Sequence, residues 1–324
     1  MILAGDVGGT KVALALIEPR GEGLRVRRSG RFDTSDYPDL ASVVREFLAG
    51  DRAHRACFGV AAPILGRPIA MPNLDWTLDD ERLAGVIGAE VLFINDLEAA
   101  ALGVDALGPE GFAPLHAGAQ RGRTCALVAA GTGLGMAVLT AEGGSPLALP
   151  SEGGHQTFAP RSELEDGLLA FLRSRHPDHV SAERVVSGPG IQSIYEFLRE
   201  SGREEEPGWL AERLAAEEDR SLAISRAALA GEAAICTATL DLFARCYGAV
   251  AGDFALATLA LRGVYLTGGI APDILPFLRD GAFREGFQAK GRMRGLLADV
   301  PVSVIVDPLA PLLGAARRAT LRAG

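Results

Sequence analysis

The sequence predicts an α/β fold built as two domains. Three observations carry this. Strand-like and helix-like segments alternate along the chain, and a unit of apolar run, glycine turn and apolar run occurs twice. The 324 residues also exceed the roughly 100–200 of one domain. The first such unit is Ile2–Val7, then Gly8-Gly9-Thr10, then Val12–Ile17, which reads as a hairpin. An amphipathic helix follows Tyr37-Pro38-Asp39-Leu40 through Val43, Val44, Phe47 and Leu48, and Ala56–Ala61 is a buried-strand run stopped by Pro63. A helix around Asp79–Ile87 precedes the strand Val91–Ile94, which runs straight into Asn95-Asp96 and a helix Leu97–Leu107.

Gly108-Pro109-Glu110-Gly111 punctuates the chain and marks a boundary. The expected division is a small α/β domain over 1–108, completed by the C-terminal helix 309–324, and a large α/β domain over 109–308. The second hairpin unit is Cys125–Ala130, the turn Gly131-Thr132-Gly133-Leu134-Gly135, then Met136–Leu139. Helices are expected over Glu163–Arg175, Ser187–Arg199, Gly208–Glu218 and one long stretch from Ser221 to about Leu261. The strand Gly263–Thr267 then meets Gly268-Gly269-Ile270. A strand Val302–Val306 and a helix Pro311–Ala319 close the chain.

Composition narrows the function. Hydrophobic residues at 48% and charged residues at 23% are ordinary for a globular protein. Forty-one acidic against thirty-two basic residues give a net charge of −9, which disfavours nucleic acid as a partner. The four cysteines are far apart, without a Cys-x-x-Cys pair, so neither a disulfide framework nor a structural zinc is expected and a reducing cytoplasm fits. No signal-peptide pattern opens the chain. The longest uncharged stretch, Thr124–Ala141, is broken by glycines and reads as two strands, so no membrane association is expected.

Three glycine-rich turns each follow an expected strand: Asp6-Val7-Gly8-Gly9-Thr10, Gly131-Thr132-Gly133 and Gly268-Gly269. Glycine lets main-chain N–H groups approach an anion, and a threonine hydroxyl adds a donor. Asp6 repels a phosphate unless a magnesium ion, directly or through water, stands between them. Each turn alone reads first as a plain hairpin or loop turn; the three together, with the acid in the first, point to phosphate binding. A Walker A loop is excluded because Gly9-Thr10-Lys11 reverses the order and leads into a strand. Gly131-Thr132-Gly133-Leu134-Gly135 has the wrong spacing for a dinucleotide fingerprint.

A second set of residues supplies the groups that hold sugar hydroxyls. Asn95-Asp96 stands at the carboxyl end of a strand, where ligands of open α/β sheets sit, although Asn or Asp there also caps the next helix. Ser151-Glu152-Gly153-Gly154-His155 combines a carboxylate and an imidazole in one loop. Ser181-Ala182-Glu183 is a further candidate, or else a helix start with an acidic first turn. Asn73, near Trp76, is a polar group in an apolar setting.

These motifs, together with Ile94-Asn95-Asp96, Glu152-Gly153-Gly154-His155 and the run His179–Gly190, make the chain resemble the bacterial glucokinases of the hexokinase–actin superfamily, in the group without zinc. The resemblance runs from Gly5 to Gly314. It implies two domains with ribonuclease-H-like cores flanking a cleft that holds ATP and glucose, and a homodimer. It also implies phosphorylation of glucose at the 6-hydroxyl, with Asp96 as base and magnesium assisting. Asn95, Asp96, Glu152, His155 and Glu183 are the implied sugar contacts, with Asn73 as the further candidate. Gly5, Asp6, Val7, Gly8, Gly9 and Thr10, then Gly131, Thr132 and Gly133, then Gly268 and Gly269, form the implied nucleotide side, with Asp6 the magnesium contact through water. Lys11 departs from the group, which usually has asparagine there. Ser151 replaces a common glycine and Gln156 a common aspartate. The zinc-bearing relatives carry a cysteine-rich motif that 156–172 lacks. A kinase for mannose, fructose or an N-acyl hexosamine is the nearest alternative. A non-catalytic sugar-responsive regulator is the more distant one.

Overall fold

Val7 pairs with Val12, which leaves Gly8-Gly9-Thr10 as the whole connection between strands β1 (Ile2–Val7) and β2 (Lys11–Arg20). The computed structural model describes every residue except 22, 65, 73, 143, 144 and 322–324. The chain divides into two compact units. One comprises Met1–Phe112, Leu139–Pro150 and Asp307–Gly324, the other Ala113–Val138 and Ser151–Val306.

In the first unit, β2 is followed by β3 (Gly23–Asp33), antiparallel to it with a register shift at Leu16/Ile17. The sequence reading passed over β3. Its apolar residues Leu24, Val26 and Phe32 do alternate with exposed arginines, but Arg27-Arg28-Ser29-Gly30 interrupts them, so no continuous apolar run marks the strand. Helix α1 (Leu40–Leu48) is capped by Asp39, whose carboxylate accepts from the N–H of Ser42 at 2.8 Å. Strand β4 (Arg55–Val60) lies parallel to β1, and the short strands β5 (Ile69–Ala70) and β6 (Thr77–Leu78) pair with each other. Helix α2 (Asp80–Ile87), capped by Asp79, leads to β7 (Glu90–Asn95), parallel to β4, and then α3 (Asp96–Val104). The sheet order is β3-β2-β1-β4-β7. Leu3, Val7, Leu14 and Phe58 bury one face of the sheet under α1 and α2. The C-terminal helix Ala310–Thr320 crosses α3 at Gly103 and Gly314, where any side chain would collide with the opposite backbone.

The strands and helices that follow are β8 (Phe112–His116), β9 (Cys125–Ala130), β10 (Leu134–Glu142), β11 (Ser145–Ser151), α4 (Glu163–Arg175), α5 (Gly188–Glu200), α6 (Gly208–Ala216), α7 (Arg220–Leu229) and α8 (Ala234–Thr258). Strand β12 (Gly263–Thr267), four short helices (α9 Ile270–Asp273, α10 Leu275–Arg279, α11 Ala282–Gln288, α12 Arg294–Ala298) and β13 (Val302–Ile305) complete the series. Strand β12 is parallel to both β9 and β13, and the sheet order is β11-β10-β9-β12-β13-β8. Apart from β8, this order repeats that of the first sheet strand for strand, the duplication the two hairpin units hinted at. The repeat of one strand order in two sheets is the duplicated α/β arrangement expected of the sequence.

Two expectations are corrected. The single helix from Ser221 to about Leu261 is two helices, because Gly231 turns the chain with φ +66° and the N–H of Glu232 bonds back to Ala227 at 2.9 Å. The second glycine turn ends at Gly133: the Gly131 N–H bonds to the Gly133 carbonyl at 2.9 Å, so Leu134 and Gly135 already belong to β10. Among the described residues α8 alone is long and apolar enough to cross a membrane, and 67% of its most apolar stretch is buried inside the protein. It is a core helix: Tyr247, fully buried, donates to the Val128 carbonyl on β9 at 2.8 Å.

Candidate active site

In the first unit the candidates gather where β1 and β7 end. Asn95 closes β7 and Asp96 opens α3. The Leu97 N–H is shared by Asn95 Oδ1 at 3.0 Å and Asp96 Oδ1 at 2.9 Å. The capping alternative is therefore real, and it fixes both side chains at the helix start. Gly59 on β4 lets this helix start approach, since a Cβ there would lie 2.9 Å from Ala99 Cβ and 3.4 Å from Asp96 Cα. Asp6 sits across from Gly59 in the β1–β4 register. Burial first, and then the charge of Asp96, push its pKa up to about 6, against the opposing pull of Arg31. Two carboxylates thus share one corner of the sheet.

The glycine turn beside them is braced by a residue the sequence reading missed. Thr34 is buried, donates from Oγ1 to the Gly9 carbonyl at 3.0 Å and from its N–H to the Thr10 carbonyl at 2.9 Å. Gly8 bonds back to the Lys11 carbonyl at 2.9 Å. Thr10 and Lys11 are exposed, whereas Gly5 and Val7 are buried; a Cβ at Gly5 would collide with the Phe58 ring. Asn73 lies outside the described residues.

In the second unit Glu183 stands in a single 3₁₀ turn (Ala182–Arg184), not at an α-helix start. Helix α5 begins later, capped by Ser187, whose hydroxyl accepts from the Gly190 N–H at 3.1 Å. The Glu183 carboxylate accepts the Leu134 N–H at 2.9 Å, and a Cβ on Gly133 would come 2.6 Å from the same oxygen. The loop Glu152–His155 folds onto the same place. Its Gly154 leaves no room for a Cβ against the Leu134 carbonyl, and the Gln156 carbonyl takes the Ala182 N–H at 2.8 Å. Glu152 and His155 point outward, 82% and 60% exposed, with 3.8 Å between carboxylate and imidazole. The structure therefore brings Gly133, Glu183, Glu152 and His155 into one neighbourhood of this unit.

Gly268 takes φ +84° and abuts the Ala130 carbonyl, so the third turn packs on the end of the strand that carries the second. Gly131, Thr132 and Gly269 open onto a cavity of about 370 Å³, bounded further by α5, α7 and α9. Its wall includes Ile191, Leu222, Ile270 and Ile274, an apolar slot of the size that takes a small ligand. None of these wall residues was singled out from sequence; isoleucine and leucine on helices give no signal beyond core packing.

A family model of glucokinases matches residues 3–322. A glucokinase of Nostoc punctiforme is 40% identical over 333 aligned positions, covering 98% of this chain and 98% of that protein. The crystal structure of a glucokinase from an Antarctic psychrotroph superposes with a TM-score of 0.86 at 32% identity, covering 98% of each chain. A ROK family glucokinase from Streptomyces griseus, solved with glucose and AMPPNP, shares the fold with a TM-score of 0.65 at 21% identity and 98% coverage of each chain.

Proposed function

The chain belongs to the glucokinase family, and from that we propose that it transfers the γ-phosphoryl group of ATP to the 6-hydroxyl of glucose, with Asp96 as the base. The observation that carries the reading is the carboxylate pair at the ends of β1 and β7, Asp6 beside Asp96, with a glycine at position 59 that admits the helix start. Phosphoryl transfer passes through a loose transition state, so the protein's work is positioning and charge stabilisation. Asp96 orients the hydroxyl and accepts its proton late, once the forming P–O bond has made that proton acidic. Asn95, Glu152, His155 and Glu183 are assigned to the sugar hydroxyls. Gly8, Gly9 and Thr10, with Gly131, Thr132 and Gly133, are assigned to the phosphates, and Gly268 and Gly269 to the nucleotide.

A divalent cation fits the acidic pair: burial first and then the charge of Asp96 raise the pKa of Asp6, and a cation beside the two carboxylates would offset both. Asp6 would hold magnesium through water, and the ion would supply neutralisation of the phosphate charge. The glucose and AMPPNP bound by the Streptomyces griseus enzyme support both substrates. The two lobes are proposed to be 1–108 with 309–324, and 109–308. A cytoplasmic location and no nucleic-acid partner complete the proposal, supported by the dispersed cysteines and the acidic balance; a homodimer without membrane association is proposed from the family resemblance alone.

A coupled assay over glucose, mannose, fructose and an N-acyl hexosamine, with and without magnesium, tests it. Glucose is expected to give the highest kcat/KM, and only with the cation. A higher kcat/KM for another hexose would reassign the substrate.

A further inference from the structure

The motif His179–Gly190 contributes Glu183 to the assigned site and leaves its first residue without a role. His179 is exposed, yet its imidazole reaches 24 positions back along the chain: Nε2 lies 2.9 Å from the His155 carbonyl. A carbonyl oxygen only accepts, so Nε2 carries the proton and donates. The bond falls on a segment that has to be held by its main chain. Glu152 and His155 are largely exposed, so packing does not orient them. Their turn closes on itself, through the His155 N–H to the Glu152 carbonyl at 3.0 Å and the Gln156 N–H to the Gly153 carbonyl at 3.1 Å. Those bonds set the shape of the turn and leave its place relative to Glu183 to other contacts. Just beyond it, Thr157 bridges Ser181 in antiparallel fashion. The Ala182 N–H bonds to the Gln156 carbonyl at 2.8 Å, and the Phe158 N–H to the Val180 carbonyl at 2.9 Å. The His179 side chain takes the next carbonyl toward the turn. It carries the pairing of the two segments onto the residue whose imidazole is assigned to the sugar.

Resting on that assignment, we propose that His179 is a positioning residue for glucose, whose imidazole N–H holds the His155 carbonyl and so sets where Glu152 and His155 meet the sugar hydroxyls. It touches no substrate itself. Contacts already in place cost less to order when the sugar binds, so the effect falls on the affinity for glucose and not on the chemical step.

Initial rates with glucose and ATP varied in turn test this on the wild type, on His179→Leu, which keeps bulk without a donor, and on His179→Gln, which keeps an N–H at similar reach. His179→Leu should raise the KM for glucose about three- to tenfold, the worth of one hydrogen bond, with kcat and the KM for ATP within about twofold. His179→Gln should return the glucose KM to within about twofold of the wild type. The melting temperature should move by no more than about a degree in either, because the side chain is exposed. His116 is the control. Its Nε2 lies 2.5 Å from the Ala298 carbonyl, a bond of the same kind on elements that carry no assigned contact, and His116→Leu should leave the glucose KM unchanged. Added to Glu152→Gln with His155→Ala, His179→Leu should raise the glucose KM by less than about a further twofold, since the contacts it positions are gone. If the wild type phosphorylates glucose and His179→Leu leaves its KM unchanged, the proposal is overturned while the kinase reading stands. A wild type without glucose turnover removes both. An equal rise in His179→Leu and His179→Gln, or full additivity with the double substitution, also overturns the proposal.

Discussion

The carboxylate of Glu183 accepts the main-chain N–H of Leu134 at 2.9 Å, which ties a candidate sugar ligand to the strand that leaves the second glycine turn. A change at Glu183 is therefore felt on both sides of the reaction. Glu183→Ala leaves that N–H without its partner, at a cost of about 1–3 kcal/mol, and loosens Gly133. The expected outcome is a raised KM for ATP as well as for glucose, read from initial rates with each substrate varied. A rise confined to glucose would show that the bond does not hold the turn.

Glu152 and His155 make the contrasting case. Both are largely exposed and pack against little, so Glu152→Gln and His155→Ala should leave the melting temperature unchanged. The KM for glucose should rise in each, while the KM for ATP stays put. An unchanged glucose KM would remove these two side chains from the sugar site.

Asp96→Asn preserves the shape of the helix start, since the amide oxygen still accepts the Leu97 N–H. Glucose binding, measured by calorimetry, should survive. Turnover should fall by at least about 10², the lower end of what a positioned base contributes. Near-wild-type turnover would assign the proton to another group.

How much of this was readable beforehand divides along physical lines. Apolar runs flanking glycine announce themselves, so β1, β2, β9 and β12 and the turns between them stood out in the sequence. Asn95-Asp96 was visible because a strand ran directly into it. Strand β3 was hidden, because an edge strand with alternate residues in water tolerates Arg25, Arg27 and Arg31 where a central strand does not. Thr34 was hidden for a different reason: one threonine in a loop looks like any other until its two bonds to the Gly9–Thr10 turn are seen. The cavity wall is assembled from α5, α7 and α9, far apart in sequence, and the short helices over 270–298 carry no long periodic signal.

Asp6 predicts a pH dependence whose sign is fixed by its raised pKa. The folded chain holds the Asp6 proton up to about pH 6, whereas the unfolded chain releases it near the ordinary 3.8. Between those values the folded state binds more protons, so this residue's contribution to stability falls as pH rises. Urea midpoints of the ligand-free protein, measured from pH 4 to 7, should fall more steeply in the wild type than in Asp6→Asn, and the variant should be the more stable of the two at pH 7. Parallel curves would mean that Asp6 titrates normally.

The crossing of α3 and the C-terminal helix offers a test of the fold itself. At Gly314 an added Cβ would be driven into the Ala99 carbonyl, and at Gly103 into that of Ala310, so backbone meets backbone with no flexible side chain to yield. Overpacking of this kind costs about 1–3 kcal/mol or more. Gly295 on α12 is the control, because a Cβ there meets nothing within 4 Å and alanine is favoured over glycine in a helix by about 1 kcal/mol. Gly314→Ala should therefore lower the melting temperature by several degrees, while Gly295→Ala should hold it or raise it slightly. If scanning calorimetry gave the two variants equal melting temperatures, the close approach of these helices through their glycines would be wrong.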